Sequence, residues 1–161
     1  KMTAPDKECT EEMKAYIHDL NAMYRSCPAL YAMDGNSDGF EWIQFTNYDE
    51  NIVAFLRKTE KMEETLLIVC NFSPVSYDSY QVGVPFAGKY KEIFNSDNGK
   101  YGGLGVVNTR AKNAVHAECD NRENSLKMKL PAYGVTVFSC TPEKKVSSVK
   151  RVGKKVKISR K

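Results

Sequence analysis

The chain has 161 residues, 42% of them hydrophobic and 27% charged, which supports one domain with a sizeable core and excludes a disordered chain. The apolar run Leu66 to Cys70 has five residues and none is longer, far short of the ~20 that a membrane-spanning helix needs, so no membrane partner is expected. The net charge of +4 is unevenly placed: residues 143–161 hold nine Lys/Arg and one Glu (+8), whereas 1–142 hold 15 basic and 19 acidic residues (−4). A mildly acidic body excludes a basic nucleic-acid-binding face on the folded part, and no nucleic-acid partner is expected.

Residues 1–9 are polar and read as an unstructured lead. Thr10 is placed to cap a helix, with Glu11 and Glu12 in its first turn. Met13, Tyr16, Ile17, Leu20, Met23, Tyr24 and Cys27 then fall on one helical stripe, predicting a helix from about 10 to 27 that Pro28 stops. So strong a stripe needs a partner, either the β domain that follows or a neighbouring domain. Asp34 to Gly39 is a dense turn.

From there the period changes to two. Strands are predicted at Phe40–Phe45, Ile52–Arg57, Leu66–Phe72, Tyr77–Val84, Lys89–Asn95, Ser125–Leu130 and Gly134–Cys140. Leu66–Phe72 is the most hydrophobic of them and is expected to be central. Without strand–helix alternation, the fold class is mainly β: an antiparallel β-sandwich preceded by one α-helix. Between Asn95 and Glu118 the pattern lapses into a long loop with Tyr101-Gly102-Gly103-Leu104-Gly105, a length that usually marks function or a docking surface. The tail 143–161 reads as a solvated extension.

Little here carries chemistry. Cleaving a glycosidic bond takes two placed carboxylates, but Asp34, Asp38, Asp49 and Asp97 lie in turns and Glu11 and Glu12 on the helix surface; no catalytic residue is expected within this chain. His18 and His116 lack a cluster of ligating neighbours, and the five cysteines (Cys9, Cys27, Cys70, Cys119, Cys140) are widely spaced, so no metal and no cofactor is expected. Spread, odd-numbered thiols fit a reducing, cytoplasmic setting. The sequon Asn71-Phe72-Ser73 is followed by Pro74 and is set aside as a glycosylation site. Trp42, the single tryptophan, is either a core or interdomain residue or a flat platform on which a pyranose ring can lie. Phe40 beside it and Tyr101 on the glycine-rich loop are the other candidate glucan contacts.

Asp19-Leu20-Asn21-Ala22-Met23-Tyr24-Arg25, Pro28-Ala29-Leu30 and Asp38-Gly39-Phe40-Glu41-Trp42-Ile43 follow one another in an order that resembles the C-terminal region of bacterial 1,4-α-glucan (glycogen) branching enzymes. Cys70 to Val75, Gly83-Val84-Pro85, Tyr90 to Asp97, Tyr101 to Gly105 and Leu126 to Phe138 continue the likeness, which covers roughly residues 13–142. It implies that residues 1–33 hold a lead and the last helix of an α-amylase-type (β/α)₈ barrel. Residues 34–142 would then be the all-β C-terminal domain that packs against that barrel, and 143–161 an added basic tail. The catalytic carboxylates of such an enzyme lie on barrel strands, so this chain would support the barrel and contact glucan rather than catalyse. The alternative is a carbohydrate-binding or structural C-terminal domain of another α-amylase-superfamily enzyme. The likeness departs at Asp120–Asn124, where the family commonly carries a Trp-His-Gly-Arg-like stretch.

Overall fold

A computed structural model describes residues 7–45 and 49–143; the basic tail and residues 1–6 lie outside it. The helix α1 spans Lys7–Ser26. It begins before the expected cap, so Thr10 sits within its first turns instead of at its N-cap. Among the described residues eight strands follow: β1 Phe40–Gln44, β2 Ile52–Arg57, β3 Leu66–Asn71, β4 Tyr77–Val84, β5 Gly88–Asn95, β6 Lys112–Asn113, β7 Asn124–Leu130 and β8 Gly134–Pro142. Seven match the alternating segments to within two residues. The eighth, β6, has only two residues, too few to show a period.

Every pairing is antiparallel. A six-stranded sheet runs β1-β2-β3-β8-β5-β6, and a separate pair joins β4 to β7. As expected, β3 is interior, flanked by β2 and β8. Its burial on both faces explains why it reads as a continuous apolar run instead of an alternation.

Because side chains alternate along a strand, the large sheet feeds two cores. Its inner face, with Ala54, Leu56, Leu67, Val69 and Phe138, meets Val82 and Val84 of β4 and Leu126, Met128 and Leu130 of β7. Its outer face, with Ile68, Phe94 and Val137, meets Tyr16, Leu20 and Met23 of α1 and Cys27 just after it. The order of layers is therefore helix, six-stranded sheet, two-stranded sheet. Arg57 fastens the segment after the helix: its Nε and Nη2 donate to the Ala29 and Leu30 carbonyls at 3.2 Å each, and it also pairs with Asp34. Ala29 between them is fully buried.

Residues 119–122 form a tight turn before β7. Cys119 and Arg122 exchange two backbone hydrogen bonds around Asp120 and Asn121, whose φ angles are 52° and 58°. Two successive left-handed residues make the tight hairpin turn that Asp and Asn tolerate best. The Asp120 carboxylate then accepts the Gly83 N–H at 2.7 Å. Gly83 is required at that crossing, since a Cβ there would lie 2.3 Å from the Cys119 carbonyl oxygen.

Candidate functional site

The three residues singled out as glucan contacts fall in two places. Phe40 and Trp42 are two apart on β1 and so project from the same face. Register places Trp42 opposite Phe55 of β2, and the rings assemble into one cluster. Phe40 and Trp42 meet edge to face at 4.9 Å, Phe40 and Phe55 stack at 5.2 Å, and Trp42 lies 5.7 Å from Phe55 and 5.8 Å from Phe45. Trp42 is 48% exposed and Phe45 56%. Both rings stay about half exposed among the described residues, so Trp42 is not a core residue of this domain; the interdomain and platform readings both require such an exposed ring.

An ion network lies at the same edge strand. Glu41 takes Lys58 Nζ at 2.6 Å and also pairs with Arg122. Burial works against its ionised form, but these two cations together outweigh it and keep the carboxyl below its ordinary value. Glu41 lies between Phe40 and Trp42 on the strand and so projects from the opposite face, which leaves the exposed rings as a flat apolar surface of the kind that meets sugar C–H groups. Phe45 and Phe55 were not anticipated as members; their signal was the apolar content of two adjacent strands, but only the pairing register shows that they converge.

Tyr101 sits elsewhere. It follows β5, four strand positions from β1, or about 19 Å at the usual interstrand spacing. Its ring meets Tyr16 at 5.2 Å and Phe94 at 5.8 Å, and Lys100 Nζ lies 4.8 Å from its centre. Its hydroxyl donates to Asp19 of α1 at 2.8 Å. The expected long loop is thus ordered and clamps the helix. Asp97 shapes it, accepting the Leu104 N–H at 2.9 Å and the Val106 N–H at 2.8 Å through its two carboxylate oxygens.

The remaining candidates stay apart. His18 contacts Asp19 on the helix surface, and His116 lines a polar pocket with Glu118, Arg122 and Glu123. Among the described residues no three His, Cys, Asp or Glu side chains converge on a point that could hold a metal ion. Burial raises the thiols of Cys70 and of Cys140, the latter to about 12, and burial with the adjacent Asp120 carboxylate raises Cys119 to about 11; such thiols are poor nucleophiles at neutral pH. Asn71 is 1% exposed, and its amide donates at 2.8 Å to both the Val75 and Pro131 carbonyls, so the sequon nitrogen is engaged inside the fold. No helix among the described residues is long and apolar enough to cross a membrane.

Comparison with known proteins agrees with this architecture. Residues 42–141 match the model of the alpha amylase C-terminal all-beta domain. The chain is 40% identical over 129 residues to a 1,4-alpha-glucan branching enzyme GlgB of Oceanobacillus iheyensis, covering 80% of this chain and 20% of that enzyme. It is 44% identical over 119 residues to the enzyme of the same name from Synechococcus elongatus, covering 74% and 15% respectively. With a Bacillus cereus relative it shares 36% over 151 residues, 91% of this chain and 23% of the relative. The chain therefore spans about a fifth of the length of the curated relatives it matches.

Proposed function

The chain belongs to the alpha amylase C-terminal all-beta domain family, and on that premise we propose that it serves as the non-catalytic C-terminal β domain of a 1,4-α-glucan branching enzyme. Its parent would act in the cytoplasm in glycogen biosynthesis, transferring an α-1,4-glucan chain to a 6-hydroxyl to create an α-1,6 branch. The carrying observation is that 74–91% of this chain aligns, at 36–44% identity, with branching enzymes from three bacteria. A catalytic (β/α)₈ barrel of the same parent is the partner this reading requires. Helix α1 supports it. With Tyr16, Leu20 and Met23 already on the sheet, Met13, Ile17 and Tyr24 remain 46–58% exposed on the other flank, an apolar strip suited to a second neighbour. In this arrangement residues 1–33 carry the barrel's last helix, 34–142 form the β domain and 143–161 are an extension beyond it.

Within that role Phe40 and Trp42, backed by Phe45 and Phe55, form the surface proposed to meet glucan. Tyr101, the third candidate, would act at the helix clamp. Because Trp42 is the sole tryptophan, its emission reports directly on the platform. Titration with maltoheptaose should shift and saturate that emission at millimolar sugar, and Phe40→Ala should weaken the response. Emission unmoved by sugar would remove the glucan assignment while leaving the structural role intact. Branch formation on amylose by the 161-residue chain alone would overturn the non-catalytic reading.

A further inference from the structure

At the far edge of the large sheet from Trp42, the segment before β6 passes beside β7 of the smaller sheet. There Asn108, Thr109, Arg110, Lys112 and Lys129 line a pocket of about 360 Å³, within the size range of small-molecule sites. Three cations border it. Among the described residues none of the three pairs with a carboxylate. The backbone N–H groups of Thr109, Arg110 and Ala111 and the Thr109 hydroxyl likewise donate to no described acceptor.

The arrangement is held before any ligand arrives. Asn108 is 7% exposed and joins the segment to β7: its Oδ1 accepts the Lys129 N–H at 2.8 Å and its Nδ2 donates to the Lys129 carbonyl at 3.0 Å. The Glu92 carboxylate holds the segment from the side of β5. Its Oε2 accepts Asn108 Nδ2 at 2.7 Å, the Asn108 N–H at 3.1 Å and Asn95 Nδ2 at 3.1 Å.

We propose that this pocket is a binding site for a phosphate group, recognised by Arg110, Lys112 and Lys129 together with the unengaged N–H groups of residues 109–111. The charge pattern argues for it. Residues 1–142 carry a net −4, yet here three positive side chains line one pocket and none of them forms an ion pair among the described residues, and like charges bordering one pocket repel. An oxyanion removes that repulsion. A guanidinium offers a planar fork that matches phosphate oxygens, and ammonium groups act as point charges beside it. The unengaged main-chain N–H groups of residues 109–111 are further donors on the segment that lines the pocket. The pocket is large enough for a phosphate esterified to one sugar as well as for the free ion. This site is independent of the sugar platform and of the branching-enzyme role, and it stands or falls separately.

The test is amide chemical-shift mapping on the full 161-residue chain, titrated in turn with inorganic phosphate, glucose 6-phosphate and glucose. Saturable shifts at Thr109 to Lys112 and at Lys129 are expected with both phosphates and not with glucose, and they should weaken as sodium chloride is added. Tighter binding of glucose 6-phosphate identifies an esterified sugar; equal binding identifies the phosphate group alone. Arg110→Glu combined with Lys129→Glu should weaken binding about tenfold or more while leaving the remaining spectrum dispersed. Silence at these amides at millimolar ligand, shifts confined to residues 144–161, or full binding by the double variant would each overturn the proposal.

Discussion

The hydroxyl of Tyr101 donates to the Asp19 carboxylate at 2.8 Å, joining helix α1 to the segment after β5 across 82 residues of sequence. Lys100 donates to the same oxygen and His18 meets the other. The Lys100 ammonium, then the Tyr101 hydroxyl and His18, hold the Asp19 carboxyl well below its ordinary value of 3.8. Because the folded state prefers the ionised form, this clamp is complete above the unfolded-state value and is lost as pH falls below it. Asp19→Asn should lower the melting temperature at pH 7. Between about pH 5 and 2 the variant should also lose less stability than the parent chain. Thermal unfolding followed across that range checks both statements; identical slopes would show that the clamp contributes nothing.

Leu67 is fully buried on the interior strand β3, facing the core shared by the two sheets. Leu67→Ala should cost about 2–5 kcal/mol, combining lost transfer energy with an unfilled cavity. Chemical denaturation would show this as a lowered midpoint with an unchanged slope.

Asn71 ties two loops together from inside. Beyond its two donated bonds, its Oδ1 accepts the Ser73 N–H at 2.9 Å and the Ser73 hydroxyl at 2.8 Å. Asn71→Ala leaves the Val75 and Pro131 carbonyls and the Ser73 N–H without that partner, at roughly 1–3 kcal/mol for each buried group so abandoned. A fall of at least about 2 kcal/mol in unfolding free energy is expected. Faster hydrogen exchange at residues 73–76 should accompany it.

Trp42 and Leu67 should contrast. Trp42 is half exposed on an outer strand and contacts three other rings, so Trp42→Ala should lower unfolding free energy by about 1–3 kcal/mol and leave the domain folded. Any loss of sugar binding in that variant would then be a loss of contact instead of fold. Calorimetry of the variant with and without maltoheptaose separates the two.

Removing residues 1–27 should expose Ile68, Phe94 and Val137, which are buried under α1. The shortened chain is expected to bind hydrophobic dyes and to associate, in proportion to the apolar face uncovered. If it remains monomeric and melts like the parent, the helix is not part of this folding unit.

Some of these features could be read along the chain and others could not. Leu126, Met128 and Leu130 alternate with Lys127 and Lys129, and all three are buried while both lysines are exposed; a strand with one wet face declares itself in its own residues. The helical stripe was equally legible, but its division was not. Tyr16 and Ile17 are neighbours on it, yet Tyr16 packs beside Phe94 whereas Ile17 is 46% exposed. Only the position of the sheet separates the two flanks. Lys112 and Lys129 gave no local signal of a shared pocket, since one follows a glycine-rich loop and the other belongs to a different sheet.

By itself the sequence determined that this protein is an antiparallel β domain with a leading helix, and it determined the family, because side-chain period and motif order are properties of contiguous residues. Tertiary structure alone decided that Trp42 shares a surface with Phe55, that Tyr101 closes on Asp19, and that Arg110, Lys112 and Lys129 line one pocket. Each of those depends on the strand order β1-β2-β3-β8-β5-β6, which brings together residues far apart in the chain through pairing choices that no single segment encodes.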